Sequence, residues 1–392
     1  MDQPELPRLL YFSDVVVESS FHGSALIYRL LQNYPADRLL ILQPSGVKAA
    51  DCRRLENVAY AEVPFSSHRL SHSRLSRFYR TWLALTGKYR ANRARQACKT
   101  FRPDAVLTVM HGFSWMAAAE FARQEQLPMF AIVHDDWPRV CGALPMFGNY
   151  LDRVFGKGLR LAHMTFCVSP NMLETYQNKY AAHGRLLYPS QAVSKPVAKP
   201  VEGRSYAGLS VVFAGTINSD GYAELLRSVA ACLKPGKERL LLFGPHSTAS
   251  LKRWKLDMET IENRGLVDSD NIGSHLAREA DVLLVPMSFA DYERENMRLG
   301  FPSKIAEYAA TGIPMLIVGP EYCSAVRWAR EAESVAEIVT SKDLAPLSNA
   351  LERLKSAPHR EMLGQRALEV GEKMFSHAAV QSIFFGGLAN VR

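Results

Sequence analysis

The residues in this chain best placed to do chemistry form one run, Phe301-Pro302-Ser303-Lys304-Ile305-Ala306-Glu307-Tyr308, which leads to Gly312-Ile313-Pro314. Ser303 and Lys304 stand at the start of a short helix, where free backbone N–H groups and the positive end of the helix dipole favour an anion. Glu307, one turn on, can accept hydrogen bonds from a ribose diol. Together these residues suit a nucleotide diphosphate, with Lys304 on the pyrophosphate. The plainer reading of the same residues is an N-cap at Ser303, a solvated cation at Lys304 and a capping-box carboxylate at Glu307.

Further candidates sit where apolar runs end. Val211-Val212-Phe213-Ala214 stops at Gly215-Thr216, and Leu240-Leu241-Leu242-Phe243 stops at Gly244-Pro245-His246. A glycine there lets backbone approach a phosphate, although a tight turn needs the same residue. His134 and Asp135 follow the apolar run Met129–Val133, and His111-Gly112 follows Ala105–Val109. Either histidine is a candidate ligand contact or a histidine satisfied by a backbone carbonyl. Gly23 opens the first helical pattern, whose N-terminal amides can meet an anion.

These positions need a scaffold that brings strand ends together. A chain of 392 residues is long for one core and implies two or three domains. Short apolar runs alternate with helical patterns through both halves, the signature of an α/β fold with mostly parallel sheets covered on both faces. The rhythm breaks from Tyr188 to Tyr206, a stretch carrying Pro189, Pro196 and Pro200. The expected organisation is a Rossmann-like domain over 1–188, a linker over 189–207, a second Rossmann-like domain over 208–375 and a closing helix over 376–392. Two such halves face a cleft, and ligands bind at the carboxyl ends of the strands.

The run from Val211 to Val318, and above all Pro302-Ser303-Lys304-Ile305-Ala306-Glu307-Tyr308 before Gly312-Ile313-Pro314, resembles the donor-binding segment of GT-B-fold glycosyltransferases of the retaining family-4 type. The resemblance implies two Rossmann-like domains and a C-terminal helix that crosses back to the first. It implies transfer of a sugar from a UDP- or GDP-linked donor to a hydroxyl of a glycan or lipid-linked glycan, without a cofactor. Lys304 would stabilise the leaving diphosphate and His134 would position the sugar. Ser303, Glu307, Gly215, Thr216, Gly244 and the loop at Leu266 and Val267 would contact the donor, and Gly23, His111 and Asp135 the acceptor. Two departures stand out. The basic pair common after the first strand of the second domain is replaced by Thr216 and Gly221, and the sugar-holding Glu by Leu299. Arg298 is then the candidate helper cation, and Asp291, Glu293, Glu295 and Asn296 are candidate replacements for the Glu. A nucleotide-binding protein that has lost catalysis, or a nucleotide-sugar epimerase of similar architecture, are the alternatives.

Composition narrows the setting. Hydrophobic residues make up 47% of the chain, yet no uninterrupted apolar stretch is long enough to span a membrane, and the N-terminus lacks a secretory pattern, so a cytoplasmic protein is expected. The six cysteines are scattered, which suggests mostly buried, reduced thiols, and adjacent residues such as His134-Asp135-Asp136 rarely converge on one ion, so no metal is expected. Between Pro64 and Pro103 there are ten Lys or Arg and no Asp or Glu, more than the whole net charge of +8. Leu75, Phe78, Tyr79, Trp82 and Leu83 recur there at helical spacing beside Arg74, Arg77 and Arg80. An amphipathic basic helix of this kind can lie on an anionic membrane, or pack its apolar stripe on the core with its charges in water. Nothing else in the chain resembles a nucleic-acid motif.

Overall fold

The computed structural model describes residues 5–19, 22–45, 51–64, 68–71, 73–192, 208–268 and 271–389. Residues 193–207 of the expected linker, and Ser20 and Phe21 before the first helix, lie outside the described residues. The chain divides into two compact units, Met1–Pro189 with Val380–Arg392, and Ser190–Ala379.

The first unit is built on a seven-stranded sheet of β1 (Leu9–Phe12), β2 (Leu39–Pro44), β3 (Ala59–Val63), β4 (Ala105–Val109), β5 (Met129–Val133), β6 (Met164–Cys167) and β7 (Gly184–Leu186). The order is β3-β2-β1-β4-β5-β6-β7 and every pair is parallel. Helices cover both faces of a parallel sheet, so the central strands are apolar throughout: Leu9-Leu10-Tyr11-Phe12 and Met129-Phe130-Ala131-Ile132-Val133 are buried at every position. Ser169 caps the helix Pro170–Tyr180 by accepting from the Met172 N–H at 3.0 Å, with proline at the first helical position. The last helix, His377–Leu388, places Val380, Phe384 and Leu388 in this unit's core, where the Phe384 ring lies 5.4 Å from Phe166. Gly387 sits so close to Phe166 that a Cβ would come within 2.6 Å of its ring, so a small residue is required at that crossing.

The second unit carries β8 (Leu209–Ala214), β9 (Glu238–Phe243), β10 (Ile261–Gly265), β11 (Val282–Pro286), β12 (Met315–Val318) and β13 (Ala336–Val339) in the parallel order β10-β9-β8-β11-β12-β13. In both sheets the strand order reverses beside the first strand, leaving a crevice at the carboxyl ends of β1 and β4 and of β8 and β11. Most of the candidate residues follow the carboxyl ends of β4, β5, β8, β9 and β10, and Gly23, Lys304 and Glu307 lie in the first turns of helices.

Two expectations change. The stripe Leu75, Phe78 and Trp82 faces water, with Phe78 63% and Trp82 51% exposed. Of the same stripe Leu83 is buried, with Thr81 and Ala84, and Tyr79 is half-buried, so the stripe divides: Leu83 packs on the core and the larger part, Leu75, Phe78 and Trp82, stays in water. The thiols are also less uniformly buried than expected: Cys98, Cys167 and Cys323 are buried, Cys141 and Cys232 half-buried, and Cys52 exposed.

Candidate functional site

Lys304 opens the helix Lys304–Ala309, and its side chain folds back over the end of β8. Its Nζ lies 4.0 Å from the centre of the Phe213 ring. A Cβ built on Gly215 would come within 2.3 Å of that Nζ, and Gly215 has φ +150°, so only glycine permits the approach. Burial lowers the ammonium to about 8, and the Glu307 charge acts in the opposite direction. The helix has only six residues, so the positive charge here rests on the Lys304 side chain more than on an accumulated dipole. Tyr308 fixes the helix to the strand end, its hydroxyl accepting from the Ala214 N–H at 3.0 Å. Ser303 makes no side-chain capping bond, which removes the simple N-cap reading, and both Ser303 and Glu307 are half-buried.

Gly244, at the end of β9, has φ +158°, and a Cβ there would lie 2.3 Å from the Gly215 carbonyl oxygen. The two strand-end loops therefore touch backbone to backbone. His246 is 8% exposed, and its Nε2 lies 2.9 Å from the same Gly215 oxygen. Since a carbonyl only accepts, Nε2 carries the proton. Sequence reasoning passed over this histidine although it stands two residues beyond a candidate glycine. The loop after β10 presents Leu266, which is 75% exposed, and half-buried Val267.

Gly221 has no room for a larger residue, because a Cβ would lie 2.1 Å from Ser288 Oγ and 2.8 Å from Glu293 Oε2. Glu293 accepts from Ser219 Oγ at 2.9 Å. Arg298, the candidate helper cation, is held by Glu295 at 2.8 Å. Leu299 is 1% exposed and belongs to the core.

In the first unit, His111 follows β4, and His134 and Asp135 follow β5. His111 Nδ1 lies 3.4 Å from Asp135 Oδ2. That hydrogen-bonding partner raises the His111 pKa, while burial acts downward. Asp135 is held below the usual carboxylate range: burial opposes its ionisation, and His111 outweighs it. His134 behaves differently, burial lowering its imidazole to about 4, so at neutral pH it is uncharged. Asp14, after β1, accepts from the Phe113 and Ser114 N–H groups and from Ser114 Oγ, capping the helix Ser114–Glu125. Gly23 lies in the first turn of the helix His22–Leu31, with open space where a Cβ would stand. Among the described residues no group of three His, Cys, Asp or Glu side chains is placed to hold a metal ion.

No protein-family model and no curated protein matches the chain. Solved structures do. The α,α-trehalose 6-phosphate synthase from Burkholderia multivorans superposes with a TM-score of 0.69 at 16% identity, over 99% of this chain and 97% of its own. Sucrose-phosphate synthase from Thermosynechococcus elongatus gives 0.69 at 13% identity, over 95% and 96%. Anabaena HepE, solved in complex with UDP and glucose, gives 0.67 at 13% identity, over 98% and 100%. This chain has the GT-B fold. Within that fold Lys304, Gly215, Gly244 and His246 share the β8 and β9 ends of the second unit, while His111, His134 and Asp135 share the β4 and β5 ends of the first.

Proposed function

We propose that this protein is a glycosyltransferase that moves a sugar from a nucleotide-diphosphate donor to a hydroxyl of a glycan or lipid-linked glycan, with retention of configuration. The observation that carries this reading is the Lys304 ammonium folded over Gly215, a cation placed where backbone can approach a diphosphate. Lys304 stabilises the departing diphosphate. Glu307 holds the ribose, Ser303, Thr216 and Gly244 lie along the phosphates, and the loop at Leu266 and Val267 meets the base. Neutral His134 orients the sugar without exchanging its proton. Gly23, His111 and Asp135 serve the acceptor, and the leaving phosphate takes the acceptor proton on the same face.

A UDP-linked donor is favoured over a GDP-linked one because HepE was solved with UDP and glucose and an Escherichia coli trehalose-6-phosphate protein with UDP-2-fluoro glucose. A thermal-shift screen against UDP- and GDP-linked sugars tests the reading. Ligand at about 100 times its Kd stabilises the native state by roughly 2.7 kcal/mol and raises Tm by a few degrees. A hit is then offered as a labelled sugar with candidate acceptors: transfer supports the proposal, epimer formation or binding without turnover supports its alternatives, and no shift with any nucleotide sugar overturns it. Glu307→Ala is expected to raise the donor KM and leave kcat little changed, because ribose contacts exist in ground and transition states alike. Equal donor affinity of variant and wild type by calorimetry makes Glu307 a structural residue.

The exposed stripe is assigned to an anionic membrane surface, where a lipid-linked acceptor resides. Leu75, Phe78, Trp82, Leu85 and Tyr89 are each more than half exposed and recur at three- and four-residue steps along the helices Ser76–Leu85 and Gly87–Ala97. Exposed Arg74, Arg77, Lys88 and Arg93 flank them. Among the described residues no helix is long and apolar enough to cross a membrane, so contact would be peripheral, at the cytoplasmic face.

A further inference from the structure

We propose that His246 is a second cationic contact for the donor diphosphate, taking up a proton at Nδ1 when the diphosphate binds. The inference rests on the glycosyltransferase reading above and adds a residue to its donor site. A nucleotide sugar brings two negative charges on its diphosphate. Lys304 supplies one positive charge, Arg298 is paired with Glu295, and Thr216 and Gly221 supply none. His246 and Lys304 converge on one backbone residue: the imidazole meets the Gly215 carbonyl, and the ammonium fills the space a Gly215 Cβ would occupy. Gly244 makes this possible, because a Cβ there would stand 2.6 Å from His246 Nε2.

The tautomer follows from the acceptor. Nε2–H donates to Gly215, so Nδ1 is the nitrogen left to titrate, and no hydrogen bond to it is seen among the described residues. Without ligand the imidazole stays neutral: burial lowers its pKa, the bond to Gly215 acts upward, and the Lys304 charge lowers it again. The other neighbour, Asn263 on β10, donates to the His246 carbonyl at 3.0 Å and brings no charge. A bound dianion reverses the balance, since it stabilises both cations at once. As the sugar–phosphate bond breaks, the added negative charge strengthens the imidazolium contact further.

The test is calorimetric titration of UDP-glucose and of GDP-mannose into the whole protein at about pH 7, in two buffers of different ionisation enthalpy. Neither probe titrates near that pH, and Lys304, at about 8, is already about nine-tenths protonated. Uptake seen in wild type and lost in His246→Asn therefore reports His246. Wild type is expected to take up more than about half a proton per donor bound, and His246→Asn close to none, with about tenfold weaker binding. Asparagine cannot titrate, although its shorter amide gives up the Nε2 bond to the Gly215 carbonyl, and the wild-type proton count is informative even if the variant misfolds. Donor binding without uptake, or uptake unchanged in a folded His246→Asn protein, overturns the inference and leaves the glycosyltransferase reading standing. Binding of neither nucleotide sugar overturns both.

Discussion

Turnover of a Lys304→Met protein is expected to fall about 30- to 1,000-fold, equivalent to roughly 2 to 4 kcal/mol of lost transition-state stabilisation. Methionine keeps a flexible stem of similar length over the Phe213 ring and beside Gly215, so the substitution removes the charge and preserves most of the packing. Charge on the diphosphate grows as the sugar departs, so kcat should fall more than donor affinity. The pH profile adds a second signature. Burial brings the ammonium to about 8, and only its charged form can hold the leaving group. Wild-type kcat/KM should therefore decline as pH rises through about 8, and this alkaline limb should vanish in Lys304→Met. Unchanged turnover in a folded variant removes Lys304 from the mechanism.

The parts of the site that were legible in sequence are those whose signal is local. Lys304, Gly215 and Gly244 each stand at the end of an apolar run or the start of a helix, and their positions follow from strand and helix periodicity. His246 was not legible as a partner of Gly215, because 31 residues separate them and their contact depends on β8 and β9 being parallel neighbours. Arg298 is the opposite case. Its ion pair with Glu295 spans three residues within one helix, a spacing that already foretells neutralisation. In the fold, β7, β10 and β13 carry the weakest strand signal in sequence. Each is an edge strand with a polar or half-exposed pattern, Ile261-Glu262-Asn263-Arg264-Gly265 most plainly, so neither a continuous apolar run nor clean alternation marks it. The helix Ser76–Leu85 was legible as amphipathic, but periodicity gives the stripe and not the side that faces inward. Thr81, Leu83 and Ala84 there, and Arg90, Ala91 and Ala94 in the next helix, lie against the core, and Phe78 and Trp82 are left in water.

That outward stripe makes vesicle binding the other large expected effect. Wild-type protein should co-sediment with anionic vesicles at low salt and be released as salt rises, since the Debye length shrinks from about 10 Å at 0.1 M to about 3 Å at 1 M. Each Lys or Arg near an anionic surface contributes about 1 kcal/mol, so Arg74→Gln with Arg77→Gln should weaken binding roughly 30-fold. Arg80 is the poorest of the three arginines for this purpose. It is half-buried, and a Cβ on Gly142 would meet its guanidinium at 2.1 Å, so replacing it also disturbs a loop. The aromatic contribution is read separately with Phe78→Ala and Trp82→Ala, whose exposed rings cost the fold little when removed but would insert among the headgroups. Loss of binding with the aromatic pair at constant charge distinguishes insertion from simple attraction to a charged surface. Donor binding in solution should be the same in all of these variants, because the residues belong to the first unit and Lys304 to the second. Wild-type protein that stays in the supernatant with anionic vesicles at low salt rules out the membrane assignment and points to a soluble acceptor.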